Sequence, residues 1–247
     1  MEKRASIGSG ESGLLILAVS ILAAILMGCT QQPRIITGNV SSNTSVNASA
    51  FMDAGCVDTG NGVLNCSTAA QLSSFSCDAI RVPEDLGGLT PNVPIVECEF
   101  MATNWTGGAD EGIVRTGCLM PLFRRYITVS DGGFKEISSK DEFVDSFAPV
   151  ETPEEALGFA IALTRSFAMR SISIPSGYNV FVNEIRTTYV EETDAGFKVH
   201  LFYSETCGCG NHPLYAVDYL VTRAGEVSET SSERIYENPA WRGLCVD

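Results

Sequence analysis

The sequence predicts an α+β domain in which one or two helices pack on an antiparallel meander sheet, preceded by a disulfide-rich irregular segment. Two helix starts follow each other within residues 139–155, and four β-like runs separated by Gly-containing turns come after them. The earlier residues 56–118 hold five cysteines and keep neither helical nor strand periodicity for long. We therefore assign residues 56–118 to a cysteine-rich, loop-rich segment and residues 119–247 to the α+β domain.

A β-hairpin opens this domain. Leu122 to Val129 and Phe134 to Ser138 are β-like runs, and the turn Ser-Asp-Gly-Gly at 130–133 joins them. Ser139 to Glu142 then forms a capping box, which predicts the start of a short helix.

A second and longer helix begins at the capping box Thr152 to Glu155, where Pro153 takes the first helical position. Its apolar stripe extends as far as Ala168, so this helix should lie on a sheet. The runs that predict the sheet are Val180 to Glu191, Phe197 to Tyr203, Leu214 to Thr222 and Glu226 to Tyr236.

The third of these runs shows the clearest alternation. Tyr215, Val217, Tyr219 and Val221 fall on one side, which is apolar, while the other side is mixed. One helix followed by four meandering strands resembles, in outline, the cystatin-like and peptidase-propeptide-like (PepSY) folds. The resemblance lies in the order of the elements and implies no site residue or activity.

The first residues of the chain are typical of a secretory signal. Lys3 and Arg4 precede the apolar run Leu14 to Met27, whose 14 residues are fewer than the roughly 20 that span a bilayer. We assign residues 1–28 to a signal peptide. An uncleaved signal-anchor helix is the alternative, and in either case the bulk of the chain lies outside the cell.

The apolar run ends in Leu26-Met27-Gly28-Cys29, which resembles the lipobox of bacterial lipoproteins: an aliphatic residue at −3, a small residue at −1 and the cysteine that takes the lipid. The resemblance implies a covalent lipid such as palmitate on Cys29. It also implies a lipid-anchored protein at the extracytoplasmic side of the cell membrane. Residues 29–55, rich in Ser, Thr, Asn and Gln, would then be a flexible tether.

Eight further cysteines in an exported chain favour four disulfides, although many connectivities are open and the spacing does not select one. Setting Cys29 aside for the lipid makes the remaining count even. The candidates are Cys56, Cys66, Cys77, Cys98, Cys118, Cys207, Cys209 and Cys245.

A glycine-rich loop between the second and third strands is the most distinctive local feature. Its residues Cys207, Cys209 and His212 have the donor atoms for a soft or borderline metal such as zinc or copper(I). Alternatively, each cysteine closes its own disulfide, for example with Cys118 and Cys245, and an oxidising compartment favours this interpretation. A redox pair is a third interpretation, which is disfavoured because thiol oxidoreductases usually separate their cysteines by two residues.

Charge narrows the class of partner. The formal net charge is −14, and removing residues 1–28 leaves it unchanged because they hold two basic and two acidic residues. Such a surface repels nucleic acid and anionic headgroups. We therefore exclude nucleic acid and expect the membrane, through the lipid, and an envelope protein or a small ligand as partners.

The sequence offers little for catalysis. The exported part has no Gly-x-Ser-x-Gly, His-Glu-x-x-His, phosphate-binding or dinucleotide-binding motif, and His200 and His212 are its only histidines. We therefore expect a non-enzymatic binding or structural role at the cell envelope, with no catalytic residue and no cofactor besides the lipid. A metal- or redox-active protein that uses the glycine-rich loop is the alternative, and an enzyme of another type stays open.

Overall fold

The structure is a computed structural model that describes residues 32–40, 44–102, 111–118, 120–204 and 207–246. Strands predominate over helices, and four disulfides cross-link the chain. The predictions of a mixed helix-and-sheet protein and of disulfide bonds are therefore confirmed. Residues 33–247 form one compact unit.

The predictions for the N-terminus concern residues that the structure does not describe. The signal peptide at 1–28 and the lipid site Cys29 lie outside the described residues. Within the described ranges, no helix has the length and apolar character needed to cross a membrane.

Three helices and sixteen strands make up the described chain. The helices are α1 (Ser49–Asp53), α2 (Lys140–Phe147) and α3 (Pro153–Leu163). The strands of the first half are β1 (Arg34–Ile36), β2 (Val57–Asp58), β3 (Val63–Asn65), β4 (Ala79–Arg81), β5 (Ile95–Met101), β6 (Val114–Thr116), β7 (Leu122–Ser130) and β8 (Gly133–Ile137). The strands of the second half are β9 (Asn179–Val180), β10 (Glu184–Arg186), β11 (Tyr189–Thr193), β12 (Gly196–Ser204), β13 (Gly208–Gly210), β14 (Leu214–Val221), β15 (Val227–Glu237) and β16 (Leu244–Val246).

These strands form two larger sheets and two small ladders. The first sheet has the order β2-β3-β4-β5-β7-β6, with β8 also paired to β7, and the second has the order β11-β12-β14-β15-β9. The ladder β1–β10 is parallel, whereas β13–β16 is antiparallel. The predicted hairpin is β7–β8, and its turn residues Asp131 and Gly132 have φ of 51° and 77°, the positive values that a tight hairpin turn requires.

Both predicted helix starts are confirmed. The Ser139 side chain accepts a hydrogen bond from the Glu142 N–H, and Thr152 Oγ1 accepts one from the Glu155 N–H at 3.2 Å. The carboxylate of Glu155 in turn accepts from the N–H of Glu151 at 2.6 Å and from that of Thr152 at 2.9 Å. Each box satisfies N–H groups that have no partner within the helix.

The predicted end of the second helix is wrong. The helix stops at Leu163 rather than near Ala168, because Thr164 has an extended backbone and its hydroxyl donates to the carbonyl of Ala160 at 2.6 Å. Phe167 then forms a β-bridge with Phe202.

The predicted single strand Val180 to Glu191 is also wrong. The chain there forms three short strands, β9, β10 and β11, in three different pairings. The middle strand leaves the sheet because β1, from the N-terminal part of the chain, offers it a parallel partner. A partner about 150 residues away gives no local signal.

Segments expected to be irregular carry structure. In the described part of the predicted tether, Phe51 is fully buried and the Asn39 side chain bonds both the N–H and the carbonyl of Val190, at 2.9 and 2.6 Å. The predicted irregular segment 56–118 contributes strands β2 to β6. Most of these strands are too short for a visible alternation, and β5 buries Ile95 and Val96 in succession. The proposed domain boundaries themselves stay a prediction.

One hydrophobic cluster joins the two larger sheets with α2 and α3. It includes Tyr126 of β7, Phe143 of α2, Phe159 of α3, and Val199 and Val217 of the second sheet. A second, smaller hydrophobic cluster surrounds the buried Phe51 and lies under the disulfide-linked strands. It is separate from the larger cluster.

Arg124 links the first sheet to the end of α3. Its Nη2 donates to the carbonyls of Ile161, Ala162 and Thr164 at 3.1, 3.4 and 2.6 Å, and its Nη1 lies 3.4 Å from Glu97 Oε2. The last carbonyls of a helix have no N–H partner within it. The Arg124 side chain, from the first sheet, therefore supplies the hydrogen-bond donors that the end of the helix lacks.

We expect Arg124→Met to lower the free energy of unfolding by about 2–4 kcal/mol, because it leaves helix carbonyls and the Glu97 carboxylate without their donor. Burial already raises the pKa of Glu97 despite the attraction of Arg124. The control is Arg81→Met, which removes an ion pair to Glu99 whose arginine side chain is 45% exposed. It should change stability by less than about 1 kcal/mol in urea unfolding, and equal losses would contradict the assignment.

Glu155 predicts a pH-dependent stability. Burial opposes its charged form, but hydrogen bonds from Thr90, Glu151 and Thr152 lower the pKa below its ordinary value. A carboxylate with a lowered folded-state pKa stabilises the fold above the unfolded-state pKa, and this stabilisation is lost as pH falls through the folded-state value. Glu155→Gln should therefore destabilise the protein by about 1–2 kcal/mol at neutral pH.

The difference between Glu155→Gln and the wild type should shrink below about pH 4. Glu154→Gln is the matched control, since Glu154 is exposed in the same helical turn. Urea unfolding from pH 3 to pH 7 measures both, and a difference that does not vary with pH would refute the role given to the Glu155 carboxylate.

Candidate binding groove

A groove of about 900 Å³ opens on the inner face of the second sheet. Strands β14 and β15 form its floor, and its walls are the start of α2, the chain just after α3, and β6. The groove exists because α3 stops at Leu163 and leaves the sheet uncovered beyond that residue. Its volume falls in the range typical of ligand sites.

The floor is aromatic and apolar. Tyr215, Val217 and Tyr219 come from the side of β14 that the sequence alternation had predicted to be apolar, and Val227 of β15 lies beside them. Tyr203 of β12 adds a ring whose centroid is 6.3 Å from that of Tyr215. Tyr203 and Tyr215 are half-buried, so a ligand on the floor would contact their rings.

Two constraints hold the floor in place. The hydroxyl of Tyr219 lies 2.8 Å from the Ser166 Oγ, and burial raises the pKa of this phenol, which stays neutral. The turn between β14 and β15 packs on the helices at Gly225, which has φ of +88°; a Cβ there would lie 2.8 Å from the ring of Phe159 and 3.1 Å from Val144. Tyrosine and turn are therefore fixed before a ligand arrives.

Charges of both signs line the rim. Arg115 and Arg165 lie on one side, and the Arg165 guanidinium is 5.1 Å from the centre of the Tyr203 ring. Glu226 and Glu229 lie on the β15 side, and both are exposed. Lys140 and Asp141 at the start of α2 add one charge of each sign. A ligand that rests on the apolar floor thus meets two arginines at one edge and two glutamates at the β15 edge.

Both cysteines of the glycine-rich loop form disulfides. Cys207 bonds Cys118 and Cys209 bonds Cys245, with Cα–Cα distances of 5.5 and 3.9 Å, which are the pairs used to illustrate the disulfide interpretation. His212 Nε2 lies 2.9 Å from the carbonyl oxygen of Leu244. All three donors required by the metal alternative are thus engaged in other bonds, and the loop serves here as a cross-link between β13 and β16.

The remaining cysteines pair within the first sheet region. Cys56 bonds Cys66, and Cys77 bonds Cys98. Every predicted disulfide candidate is thereby placed in one of four bonds.

His200 belongs to a polar cluster on the face of the sheet opposite the groove. Its Nδ1 is 2.6 Å from Asp218 Oδ1, while Lys198 and Ser231 approach the other carboxylate oxygen at 2.9 and 3.0 Å. Burial opposes the charge on Asp218, but these partners hold its pKa far below the usual range. The ring of Tyr189 stacks on the imidazole, with 4.8 Å between the ring centroids. The Nδ1 atom of His200 therefore has a hydrogen-bond partner, and the side chain has a structural role.

Sequence reasoning missed the groove because its walls are far apart in the chain. Arg115, Arg165 and Glu229 belong to three different elements, and each alone is an ordinary exposed charge. The alternation that includes Tyr215 and Tyr219 was the one usable signal, and it identifies a packed face equally well.

Comparison of this chain with known protein families, curated proteins and solved structures finds no match. Because one fold can serve many functions, the site is the guide to function. A concave site with an aromatic floor and charged groups at its edge is suited to ligand binding.

The disulfides give a test of the connectivity. Replacing Cys118 and Cys207 together by alanine opens a loop of 89 residues and should lower the free energy of unfolding by about 4–5 kcal/mol. The control replaces Cys56 and Cys66, which are separated by 10 residues, and should lower it by about 3 kcal/mol. Urea unfolding compares the two, and the opposite order would contradict the pairing.

Proposed function

We propose that this chain is an exported, lipid-anchored protein of the cell envelope that binds a partner protein or small ligand in the groove, without catalysing a reaction. The observation that carries the proposal is the aromatic floor bounded by opposite charges. The lipobox-like sequence supports the location, with Cys29 as the residue that carries the lipid.

The groove suits binding for energetic reasons. Tyrosine and arginine side chains dominate the binding energy of many interfaces, because they offer a large contact area with a polar end. The floor is also ordered in advance, so little conformational entropy is lost when a ligand binds. We also propose that the domain has a cystatin-like or PepSY-like outline. In this arrangement the helix covers only one part of the sheet and leaves the groove open.

The chemistry of the lining supports contact rather than reaction. Both histidines lie elsewhere: His200 is on the opposite face of the sheet, and His212 bonds the Leu244 carbonyl. Phenol rings and aliphatic side chains form the floor that a ligand would touch, and charged side chains surround it.

The anchor has a direct test. Mass spectrometry of the mature protein should find a chain that begins at Cys29 and carries its lipid, and Cys29→Ser should abolish both the lipid and the cleavage. An intact Met1 terminus in the wild type would contradict the lipid anchor.

Binding in the groove is tested with Nile red, a neutral fluorescent dye, on the unlipidated chain from residue 30 onwards. We expect saturable binding at one site. Val227→Glu should weaken it at least about tenfold, or about 1.4 kcal/mol, because it places a charge on the apolar floor. Ser228→Glu is the matched control: it adds the same charge at the next residue, which is exposed and does not line the groove.

The control variant should bind within about twofold of the wild type, which is less than about 0.5 kcal/mol. Equal weakening by both variants, or dye binding that does not saturate, would contradict a specific site in the groove.

A further inference from the structure

Strand β15 has one free edge. It pairs with β14 from Val227 to Tyr236, but on its other edge β9 pairs only with Tyr236 and Glu237. In the part of the chain that the structure describes, residues 227–233 have no strand partner on that second edge. Residues 228–233 are all exposed, so a row of backbone N–H and C=O groups is open to another chain.

The free edge is also the rim of the groove. Val227, Glu229 and Ser232 of this segment line the groove, beside the apolar floor. Successive side chains of a strand point to opposite faces of its sheet, and a bulge at Thr230 in the ladder to β14 shifts this alternation by one residue between Glu229 and Ser232. A strand added to this edge would therefore place every second side chain over the floor and the others on the outer face.

The negative charge of the β15 edge favours a particular kind of partner strand. The segment from Glu226 to Glu233 holds three glutamates and no basic residue. A second copy of this chain would bring the same carboxylates opposite one another, which is unfavourable in strand pairs. A segment with lysine or arginine side chains would instead meet opposite charges.

We propose that the β15 edge at residues 227–233 binds an extended, basic segment of a partner protein by strand addition, with the aliphatic stems of alternate lysine or arginine side chains resting on the groove floor and their charged ends beside Glu226 and Glu229. The inference rests on the proposed groove function and names its ligand class. Seven residues of edge extend about 23 Å, so the bound segment has about six or seven residues. Backbone bonds supply affinity, and the floor and glutamates supply specificity.

The test uses the full chain in nanodiscs of zwitterionic lipid and a fluorescein-labelled peptide of seven alternating lysine and valine residues. Fluorescence polarisation should show saturable binding. Glu226→Lys combined with Glu229→Lys should weaken it more than tenfold. The matched control is Glu191→Lys combined with Asp194→Lys, which makes the same change in net charge at exposed positions on and beside the far edge strand β11 and should stay within about twofold.

Backbone pairing is separated from simple charge attraction by two further peptides, N-methylated at alternate residues in the two possible registers. They keep the charge, but one of them cannot donate to the β15 edge, so that one should bind more than tenfold more weakly. In hydrogen exchange, the unmodified peptide should slow the amides of Val227–Glu233 and leave those of Tyr189–Thr193 unchanged. Equal binding of all three peptides would overturn strand addition.

The outcomes also separate this inference from the groove itself. Saturable Nile red binding with no peptide binding would overturn the basic-segment ligand and leave the groove function standing. Failure of both probes would overturn both proposals. Sedimentation that shows a dimer abolished by the Glu226 and Glu229 double variant would replace the foreign segment with a second copy and so contradict the inference.

Discussion

The bonds from Arg124 to the end of helix α3 are the contact on which the groove depends. The helix is only eleven residues long and gains much of its stability from packing. Its N-terminus is satisfied locally by Thr152 and Glu155, whereas its C-terminus is satisfied by a guanidinium from the other sheet. Because one side chain serves three carbonyls and an acid, the first sheet is fixed to the end of α3 at this point.

That fixation shapes the groove. Leu163 is the last residue of the helix, and it forms a wall together with Thr164 and Arg165, which follow it. Strands β14 and β15 supply the floor and the opposite rim. If the helix had continued to Ala168, as its apolar stripe predicted, it would have covered part of the sheet that now forms the groove floor. The early end of α3 therefore leaves the floor of the groove uncovered.

How much the sequence predicts depends on how far apart the interacting residues are. The capping boxes at Ser139 and Thr152, the β7–β8 hairpin and the alternation along β14 are each encoded within a few residues, and all are present in the structure. The end of α3 combines a local bond, from the Thr164 hydroxyl to the Ala160 carbonyl, with the bonds from Arg124, forty residues away from Thr164. No periodicity or turn signal within the helix records that contact.

The same reasoning explains the other errors. The run at 180–191 is broken because β10 pairs with β1, and the segment 56–118 hides its strands because they are short or buried on both faces. For the disulfides, the even number of cysteines predicted bonds, but only the folded chain shows that Cys118 meets Cys207. The groove is the extreme case, because all of its walls come together only in the tertiary structure.

Hydrogen–deuterium exchange of Arg124→Lys against the wild type tests whether Arg124 holds the helix end and thereby the groove. Lysine keeps the charge, but its compact ammonium lacks the planar fork that serves several acceptors. We expect faster exchange in residues 160–166 and along β14, with no change in β2 to β4. Unchanged exchange at the end of α3 would contradict this role of Arg124.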